Sequence, residues 1–222
     1  IFRPDILKEK NPAVLLIHGW ESGQDRQFEL AKILANLGYI GMTVDLRGHG
    51  KSSGDIKKLS SKEFLEDVKV AYDSLVQIKE VDADNITAIG SSFGSYLVAL
   101  LSTERKLKAL ILRVPANYSD ESFEESLHES RLHPSHNEWK SKVQEYTQNS
   151  ALRAVHNFPG NILIVESEKD EQVHSTVIQS YMNATDPTHL THIVMKGAPH
   201  SITKYPNFQK EYYEIVTNWL QS

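Results

Sequence analysis

The sequence predicts an α/β fold in which a mostly parallel, doubly wound sheet is flanked by helices. Short apolar runs rich in Val and Ile recur along the chain, and such runs are typical of strands buried on both faces. Segments of helical length separate them, which implies right-handed crossovers between parallel strands. The length of 222 residues and the hydrophobic share of 40% suit one large core. We therefore expect a single domain over residues 1–222.

Six apolar runs are the predicted strands. None of them shows the polar alternation of a strand with one solvent-facing side, and all are short. Periodicity alone does not assign any one run, so the prediction depends on their regular recurrence between helical segments. They are residues 13–17, 40–44, 86–89, 109–114, 162–165 and 193–195.

The clearest predicted helix covers residues 60–80. Ser60 and Glu63 have the spacing of a capping box, in which each side chain satisfies an orphan backbone donor near the helix start. One face of the segment is apolar, as expected for a helix that packs on a sheet. That stripe consists of Phe64, Val68, Ala71, Tyr72 and Leu75.

Three further helices are predicted. Residues 27–37 are amphipathic and end at Gly38, a residue type favoured just past a helix C-terminus. Residues 96–101 are apolar on every side, which indicates a helix at the centre of the fold. The last helix has an apolar stripe of Phe208, Tyr212, Ile215, Val216 and Trp219.

Residues 116–160 interrupt the alternation of strands and helices. They contain no convincing strand, only polar helical segments at 121–132 and 137–156, and five acidic residues fall between Asp120 and Glu129. We expect a small helical insertion after the strand that ends near Val114. Two interpretations remain open: a solvated pair of surface helices, or a cap that shapes substrate access.

Composition excludes several classes of function. A net charge of −5 gives no general attraction to nucleic acid or anionic lipid. The absence of cysteine excludes disulfides, thiolate zinc sites and a Cys nucleophile. No apolar run approaches the roughly 18 to 20 residues needed to span a bilayer, and no signal-peptide pattern is present. We expect cytoplasmic localisation by default, although a chain that begins at Ile1 is compatible with an upstream segment having been removed.

The strongest chemical signal is Gly90-Ser91-Ser92-Phe93-Gly94, at the predicted junction of a strand and the central helix. The glycines suit a turn so sharp that a β-carbon would collide with neighbouring elements. Ser92, centred between the glycines, would then stand at a helix N-terminus, where backbone donors and the helix dipole favour negative charge. Ser92 is therefore the candidate nucleophile and Ser91 is not.

Of the ten histidines, only His200 lies on a loop after the last predicted strand. A glycine and a proline in residues 197–201 stiffen that loop, so it can hold an imidazole over the serine. His200 is the candidate general base. His49 is interpreted as a structural residue of a tight loop.

The remaining histidines give little sign of a metal site. His128, His133 and His136 could in principle gather a metal ion, but their spacing fits the usual ligand geometry poorly. No metal and no cofactor is predicted.

Together these motifs resemble the α/β-hydrolase family, of the small esterase and lipase-like kind. The resemblance runs from about Ala13 to the C-terminal helix and leaves out the insertion. It is carried by residues 18–20, 45–52 and 90–94, together with a late Asp and His in the chain order serine, acid, histidine. Ser92 argues against the family's dehalogenase and epoxide-hydrolase branches, which place Asp at that turn.

The resemblance implies roles for further residues. His18-Gly19-Trp20 matches the family's oxyanion loop, so the backbone N–H groups of Trp20 and Phe93 would be the oxyanion donors. Glu166, Glu168 and Asp170 compete as the acid, and the match of residues 167–173 to the family's acid loop favours Asp170.

The predicted chemistry is acyl transfer from a small-molecule ester by way of an acyl-enzyme on Ser92. Trp20, Tyr118, Val173 and Trp139 would line an apolar substrate pocket, which favours an ester with a hydrophobic or aromatic part. Thioesterase, peptidase and acyltransferase activities use the same machinery and remain alternatives. A catalytically silent binding protein of the same fold is a further alternative, and a homo-oligomer is compatible with the sequence.

Overall fold

A computed structural model describes residues 1–222, and its six strands form one sheet in which every neighbouring pair is parallel. The sheet confirms the predicted fold class. The strands are β1 Asn11–Ile17, β2 Ile40–Thr43, β3 Val81–Ser91, β4 Ala109–Arg113, β5 Asn161–Lys169 and β6 Leu190–Pro199. Their order across the sheet is β2-β1-β3-β4-β5-β6.

Eight α-helices connect and cover the strands. The four helices predicted outside residues 116–160 are present, the helical segments predicted inside that range correspond to three short helices, and α7 was not predicted from the sequence. The helices are α1 Phe28–Asn36, α2 Ser61–Val76, α3 Phe93–Leu101, α4 Leu127–Leu132, α5 Pro134–Lys140, α6 Ser150–His156, α7 Ser175–Ala184 and α8 Pro206–Gln221. No helix combines the length and apolar character needed to cross a bilayer.

The core has two layers, one on each face of the sheet. Along β1, Ala13, Leu15 and Ile17 face the larger layer, whereas Val14 and Leu16 face the smaller one, and all five side chains are fully buried. Helices α2, α3, α6 and α7 supply the larger layer, and α1 and α8 the smaller one. Burial on both faces is the reason for the unbroken apolar runs.

Two signals predicted from the sequence for helix ends are present in the structure, one at the start of α2 and one just after α1. Ser60 is the N-cap of α2, and it exchanges hydrogen bonds with Glu63 in a complete capping box. Gly38 follows α1 with a φ of 95°, a conformation that favours glycine. Helix α2 ends earlier than expected because residues 77–80 turn to enter β3.

Residues 116–160 contain no strand, as predicted. Helix α6 packs into the larger core layer through Ala151, Leu152 and Val155, whereas α4 and α5 bury little beyond Leu127. The insertion is also attached to α2, because Ser126 forms an antiparallel bridge with Ser60.

The strand order brings the site together. β1 pairs with β2 on one side and with β3 on the other, so the chain runs from β1 to β2 in one direction across the sheet and then crosses back to β3 in the other. Ile17 lies beside Gly90 in the register, which places the loop after β1 against the turn after β3. The carboxyl ends of parallel strands at such a switch point form the usual ligand crevice.

Candidate active site

Ser92 occupies a strained turn between β3 and α3. Its φ of 53° and ψ of −114° lie outside the regions that non-glycine residues ordinarily adopt. The turn is held by backbone hydrogen bonds, since the Ser92 N–H donates to the Arg113 carbonyl at 2.9 Å and the Ser92 carbonyl accepts from Ala116 at 3.2 Å. Strain of this kind persists only where the surroundings enforce it, and it clusters at functional sites.

The flanking glycines are required by close backbone packing. A β-carbon on Gly90 would collide with the backbone of Ser95, and one on Gly94 would collide with the carbonyl oxygens of Ile17 and His18. Helix α3 therefore starts in direct contact with the end of β1. This is the crowding from which the turn was predicted.

His200 and Asp170 meet at the same edge of the sheet. Asp170 follows β5 and His200 follows β6, and His200 Nδ1 lies 2.8 Å and 3.0 Å from the two carboxylate oxygens of Asp170. Because an ionised carboxylate only accepts, Nδ1 carries the proton and Nε2 of the neutral ring is free to accept one. Asp170 is fixed in turn by the N–H groups of Gln172 and Val173, each at 2.8 Å.

The competing acids lie elsewhere. Glu168 accepts from Lys196 Nζ at 3.0 Å and from the Gly197 N–H at 2.8 Å, on the exposed side of β5. Glu166 pairs with His192 at 2.8 Å. Of the three carboxylates left open by the sequence, Asp170 is the one within hydrogen-bond reach of His200.

The loop after β1 is held by a buried, neutral histidine. The Leu46 N–H donates to His18 Nε2 at 3.1 Å, so His18 Nδ1 carries the proton and donates to the Gly19 carbonyl at 2.7 Å. Burial lowers the pKa of His18 to about 4, despite the hydrogen bond to Gly19, which raises it. Turning the Gly19 carbonyl toward His18 directs the N–H of Trp20 the opposite way across the planar peptide.

Both predicted oxyanion donors lack an acceptor within the protein. The Trp20 N–H makes no hydrogen bond, and Phe93 is the first residue of α3, where an N–H has no partner in the helix. The rings of Trp20 and Phe93 pack edge to face with centroids 5.7 Å apart. Their two loops therefore contact one another beside Ser92.

The loop after β2 supports the loop after β1. Although partial burial raises it, the pKa of Asp45 is lowered overall by hydrogen bonds from the N–H groups of Gln24 and Lys51 and from the Gln24 amide. His49 is buried, and the centroid of its ring lies 5.4 Å from that of Trp20. It has no contact with Asp170, which agrees with a structural role.

A cleft with two lobes opens in front of Ser92. The triad cleft, about 390 Å³, is lined by Ser92, His200, Trp20 and Arg113 among others. The cap pocket, about 280 Å³, lies under α4 and α5. It is lined by Glu21, Ser92, Ala116, Asn117, Tyr118, His128, Arg131, Leu132, His136, Lys140, Gln172, Val173 and Val177.

The four predicted substrate-binding residues separate into two groups. Trp20, Tyr118 and Val173 line the cleft, whereas Trp139 does not. The rings of Tyr118 and His136 stack at 5.4 Å, and Trp139 stacks at 6.5 Å on His136, so Trp139 is one ring further from the cavity. Its direction on α5 was not predictable from the sequence.

The insertion's histidines do not converge. His128 and His136 line the cap pocket, whereas His133 caps α5 by accepting from the Ser135 N–H at 3.3 Å. No group of three or more His, Asp or Glu side chains is arranged to hold a metal ion.

The sequence reasoning named none of the five Arg and Lys residues that line the cleft, which are Arg26, Arg113, Arg131, Lys140 and Lys204. Arg113 is 5% exposed, and its Nη2 donates to the His200 carbonyl at 2.8 Å. A single arginine inside an apolar strand run was the available signal. Arg131 and Lys140 line the cap pocket, and nothing in the acidic pattern of the insertion distinguished them.

Comparisons with known proteins agree with this architecture. A model of the prolyl oligopeptidase family matches residues 26–222. The lysophosphatidylserine lipase ABHD12 of Gallus gallus is 33% identical over 138 residues, which are 59% of this chain and 33% of that protein. The chain therefore spans about a third of the length of this curated relative.

Solved structures show the same fold. Est1E from Butyrivibrio proteoclasticus, described with bound ferulic acid, superposes with a TM-score of 0.76 at 19% identity, over 99% of this chain and 94% of that one. A structure of the metagenome-derived lipolytic enzymes LipS and LipT gives a TM-score of 0.74 at 15% identity, over 99% and 97%.

Proposed function

Because the chain belongs to the prolyl oligopeptidase family of α/β-hydrolases, we propose that it is a serine hydrolase that cleaves carboxylic esters through an acyl-enzyme on Ser92. The observation that carries the proposal is the hydrogen-bonded pair of His200 and Asp170, whose imidazole lines the same cleft as the strained Ser92 turn. Ser92, Asp170 and His200 follow three different strands, β3, β5 and β6. Ser92 and His200 line one cleft without a hydrogen bond between their side chains, so proton transfer between them is part of the proposal.

The proposed mechanism follows from the hydrogen bond between His200 Nδ1 and Asp170, which leaves Nε2 as the nitrogen that can take a proton. The Ser92 hydroxyl attacks the ester carbonyl while its proton passes to His200 Nε2, and Asp170 stabilises the resulting imidazolium. The N–H groups of Trp20 and Phe93 receive the negative charge that develops on the carbonyl oxygen. His200 then protonates the departing alcohol, and water attacks the acyl-enzyme by the same steps to release the acid.

Two observations support an ester as the substrate. The curated relative is described as a lipase, and the similar structure of LipS and LipT as one of lipolytic enzymes. The side chains of Tyr118, Val173 and Val177 also give the cap pocket an apolar wall beside Ser92. An ester with a hydrophobic or aromatic part fits such a wall.

Peptide-bond hydrolysis is the second candidate, because the matching family model is that of a peptidase family. The same serine machinery cleaves amides, which differ from esters in the poorer leaving group. Measuring kcat/KM for 4-nitrophenyl butyrate and for the 4-nitroanilide of butyric acid separates the two candidates. An esterase turns over the ester in large excess over the amide. A comparable kcat/KM for the amide favours a peptidase.

The first prediction is that a fluorophosphonate labels the native chain on Ser92. Ser92→Ala abolishes labelling, whereas Ser91→Ala, the matched control one residue away, retains it. His200→Ala lowers the turnover of 4-nitrophenyl butyrate by about three orders of magnitude or more, because the base that activates the hydroxyl is removed.

A folded native chain that takes no label would contradict this proposal and favour a non-catalytic binding protein. Circular dichroism of each variant establishes that it is folded. Undiminished turnover in His200→Ala would remove that residue from the mechanism.

A further inference from the structure

The basic residues of the insertion fall into two kinds. Lys142 pairs with Glu138 at 2.9 Å and Arg153 pairs with Asp120 at 3.4 Å. Arg131 and Lys140, in contrast, have side-chain nitrogens that make neither a salt bridge nor a hydrogen bond. Both of them line the cap pocket, whose wall also includes Ser92.

The acidic residues of the insertion do not compensate these two cations. Residues 116–160 contain seven acidic and four basic side chains, and six of the seven acids are exposed on the outer surface. Glu21 is the single carboxylate on the cap-pocket wall, and it is exposed and forms no ion pair. Positive charge is therefore concentrated on the side of the insertion that faces Ser92.

The two cations are close enough to influence each other. Burial and the neighbouring Arg131 charge both lower the pKa of Lys140. Burial, Lys140 and Arg131 in turn lower the pKa of His136 to about 4, so that ring is neutral at pH 7. Two like charges that share a partly desolvated pocket without a counterion repel, and a bound anion relieves that repulsion.

The position of Arg131 ties this charge to the reaction site. Its guanidinium lies 5.1 Å from the centroid of the Trp20 ring, a side chain carried by the loop after β1. Lys140, the last residue of α5, lines the same pocket. Because Ser92 lines it too, an ester whose carbonyl sits at Ser92 can extend a charged group into the pocket that both cations line.

We propose that Arg131 and Lys140 form an anion-binding subsite, and that the preferred substrate is an ester that carries a negatively charged carboxylate or phosphate group. This inference rests on the proposed ester hydrolysis at Ser92 and specifies its substrate class. Val173 and Val177 on the same wall contact the apolar remainder of such a substrate. The insertion then acts as a cap that selects substrate by charge.

The test compares kcat/KM within two pairs of esters of similar length. Monoethyl glutarate against ethyl pentanoate examines a carboxylate, and 2-(butanoyloxy)ethyl phosphate against 2-hydroxyethyl butanoate examines a phosphate. The native enzyme prefers the charged member of at least one pair by about tenfold or more, and the pair that responds identifies the anion. Arg131→Met and Lys140→Met each lower this ratio by about tenfold.

Lys142→Met is the matched control, because it removes an exposed cation from the same insertion outside the cavity. Its ratio stays at the native value, since an exposed charge that already pairs with Glu138 is screened by salt. A native ratio at or below one in both pairs overturns the proposal. So does a loss in Lys142→Met as large as that in Lys140→Met.

Binding to Ser92→Ala separates this subsite from catalysis. Calorimetry of that variant shows tighter binding of the charged member of the responding pair, and adding Arg131→Met removes the difference. If the native enzyme hydrolyses no ester and takes no fluorophosphonate, the proposed function fails while this binding experiment still decides the subsite. Equal binding of charged and uncharged members of both pairs overturns it.

Discussion

At the scale of single residues, His18 shows how burial selects one chemical form. The ring accepts from Leu46 and donates to Gly19, an arrangement that only the neutral tautomer with its proton on Nδ1 can make. A protonated ring would lose the hydrogen bond from Leu46 and place a charge in the core. The orientation of the oxyanion loop thus depends on a histidine that does not titrate near neutral pH.

The pKa of His18 gives a pH dependence of stability with a definite sign. An unfolded histidine titrates near 6.5 and folded His18 at about 4, so the unfolded state binds more protons between these values. The stabilising contribution is complete above about pH 6.5 and is lost as pH falls toward 4. Between pH 7.5 and pH 5 we expect His18 to lower the free energy of unfolding by about 2 kcal/mol.

Urea denaturation of the native chain and of His18→Gln at both pH values measures this contribution as the difference between their pH slopes. An NMR titration of the native imidazole is an independent readout. A His18 resonance that titrates near pH 6.5 in the folded protein would show that the ring is not held neutral.

Local chemistry was sufficient to predict the sharp turn that the structure contains, whereas the catalytic roles of Ser92 and His200 stay predictions. The glycines around Ser92 indicated a sharp turn, and the loop after β6 left His200 as the natural base. The choice of Asp170 over Glu166 and Glu168 came from the resemblance of residues 167–173 to the family's acid loop. In the structure, hydrogen bonds to other groups orient the two glutamates away from His200. Three carboxylates within five residues cannot be separated by composition alone.

At the scale of elements, the contact between α3 and β1 positions the two halves of the candidate site. Gly94 lies where the first turn of α3 meets the carbonyl oxygens at the end of β1. Any added β-carbon would separate the turn that carries Ser92 from the loop that carries Trp20. Backbone atoms cannot move aside as a flexible side chain can.

Gly94→Ala is therefore expected to lower the free energy of unfolding by about 3 kcal/mol and esterase kcat by about a hundredfold. Gly41→Ala in β2 is the matched control, because its β-carbon would meet neighbours at 3.5 Å and 3.6 Å, ordinary contact distances. Its unfolding free energy should change by less than about 1 kcal/mol. Urea denaturation and ester turnover give both quantities, and a Gly94→Ala protein with native activity would disprove the required close approach.

Element prediction failed for α7 for an identifiable reason. Its buried face includes Ser180 and Ala184 beside Val177, Ile178 and Tyr181, so the apolar stripe is interrupted by small and polar residues. The N-cap His174 makes no side-chain capping hydrogen bond, which removes the usual signal for a helix start. Tertiary packing against the sheet stabilises a helix that local patterns do not indicate.

At the scale of the whole molecule, the six apolar runs predicted a parallel sheet but did not give its strand order. Pairing of β1 with both β2 and β3 depends on contacts between residues far apart in the chain. The same non-local information explains why Arg113 was overlooked. Its run, 109–114, is apolar apart from this residue. The structure buries the guanidinium among β3, β5, the loop after β6 and α8.

Arg113 connects these parts without a carboxylate partner. Besides the His200 carbonyl, its guanidinium lies 3.4 Å from Ser167 Oγ, 3.5 Å from Ser91 Oγ and 5.6 Å from the centroid of the Tyr212 ring. Burial lowers its pKa, and its Nε has no hydrogen-bond partner. A buried cation satisfied so incompletely contributes little net stability, which indicates that its main effect is to position His200.

Arg113→Met is accordingly expected to change the free energy of unfolding by less than about 2 kcal/mol, because the desolvation cost of the cation disappears together with its hydrogen bonds. The His200 carbonyl loses its donor, the imidazole is held less well, and kcat falls by about tenfold to a hundredfold while KM changes little. Arg113→Lys, which keeps one donor, restores part of kcat. Ester kinetics with urea denaturation distinguish this role from a purely structural one, in which stability would fall by more than about 3 kcal/mol and a properly folded variant would keep native kcat.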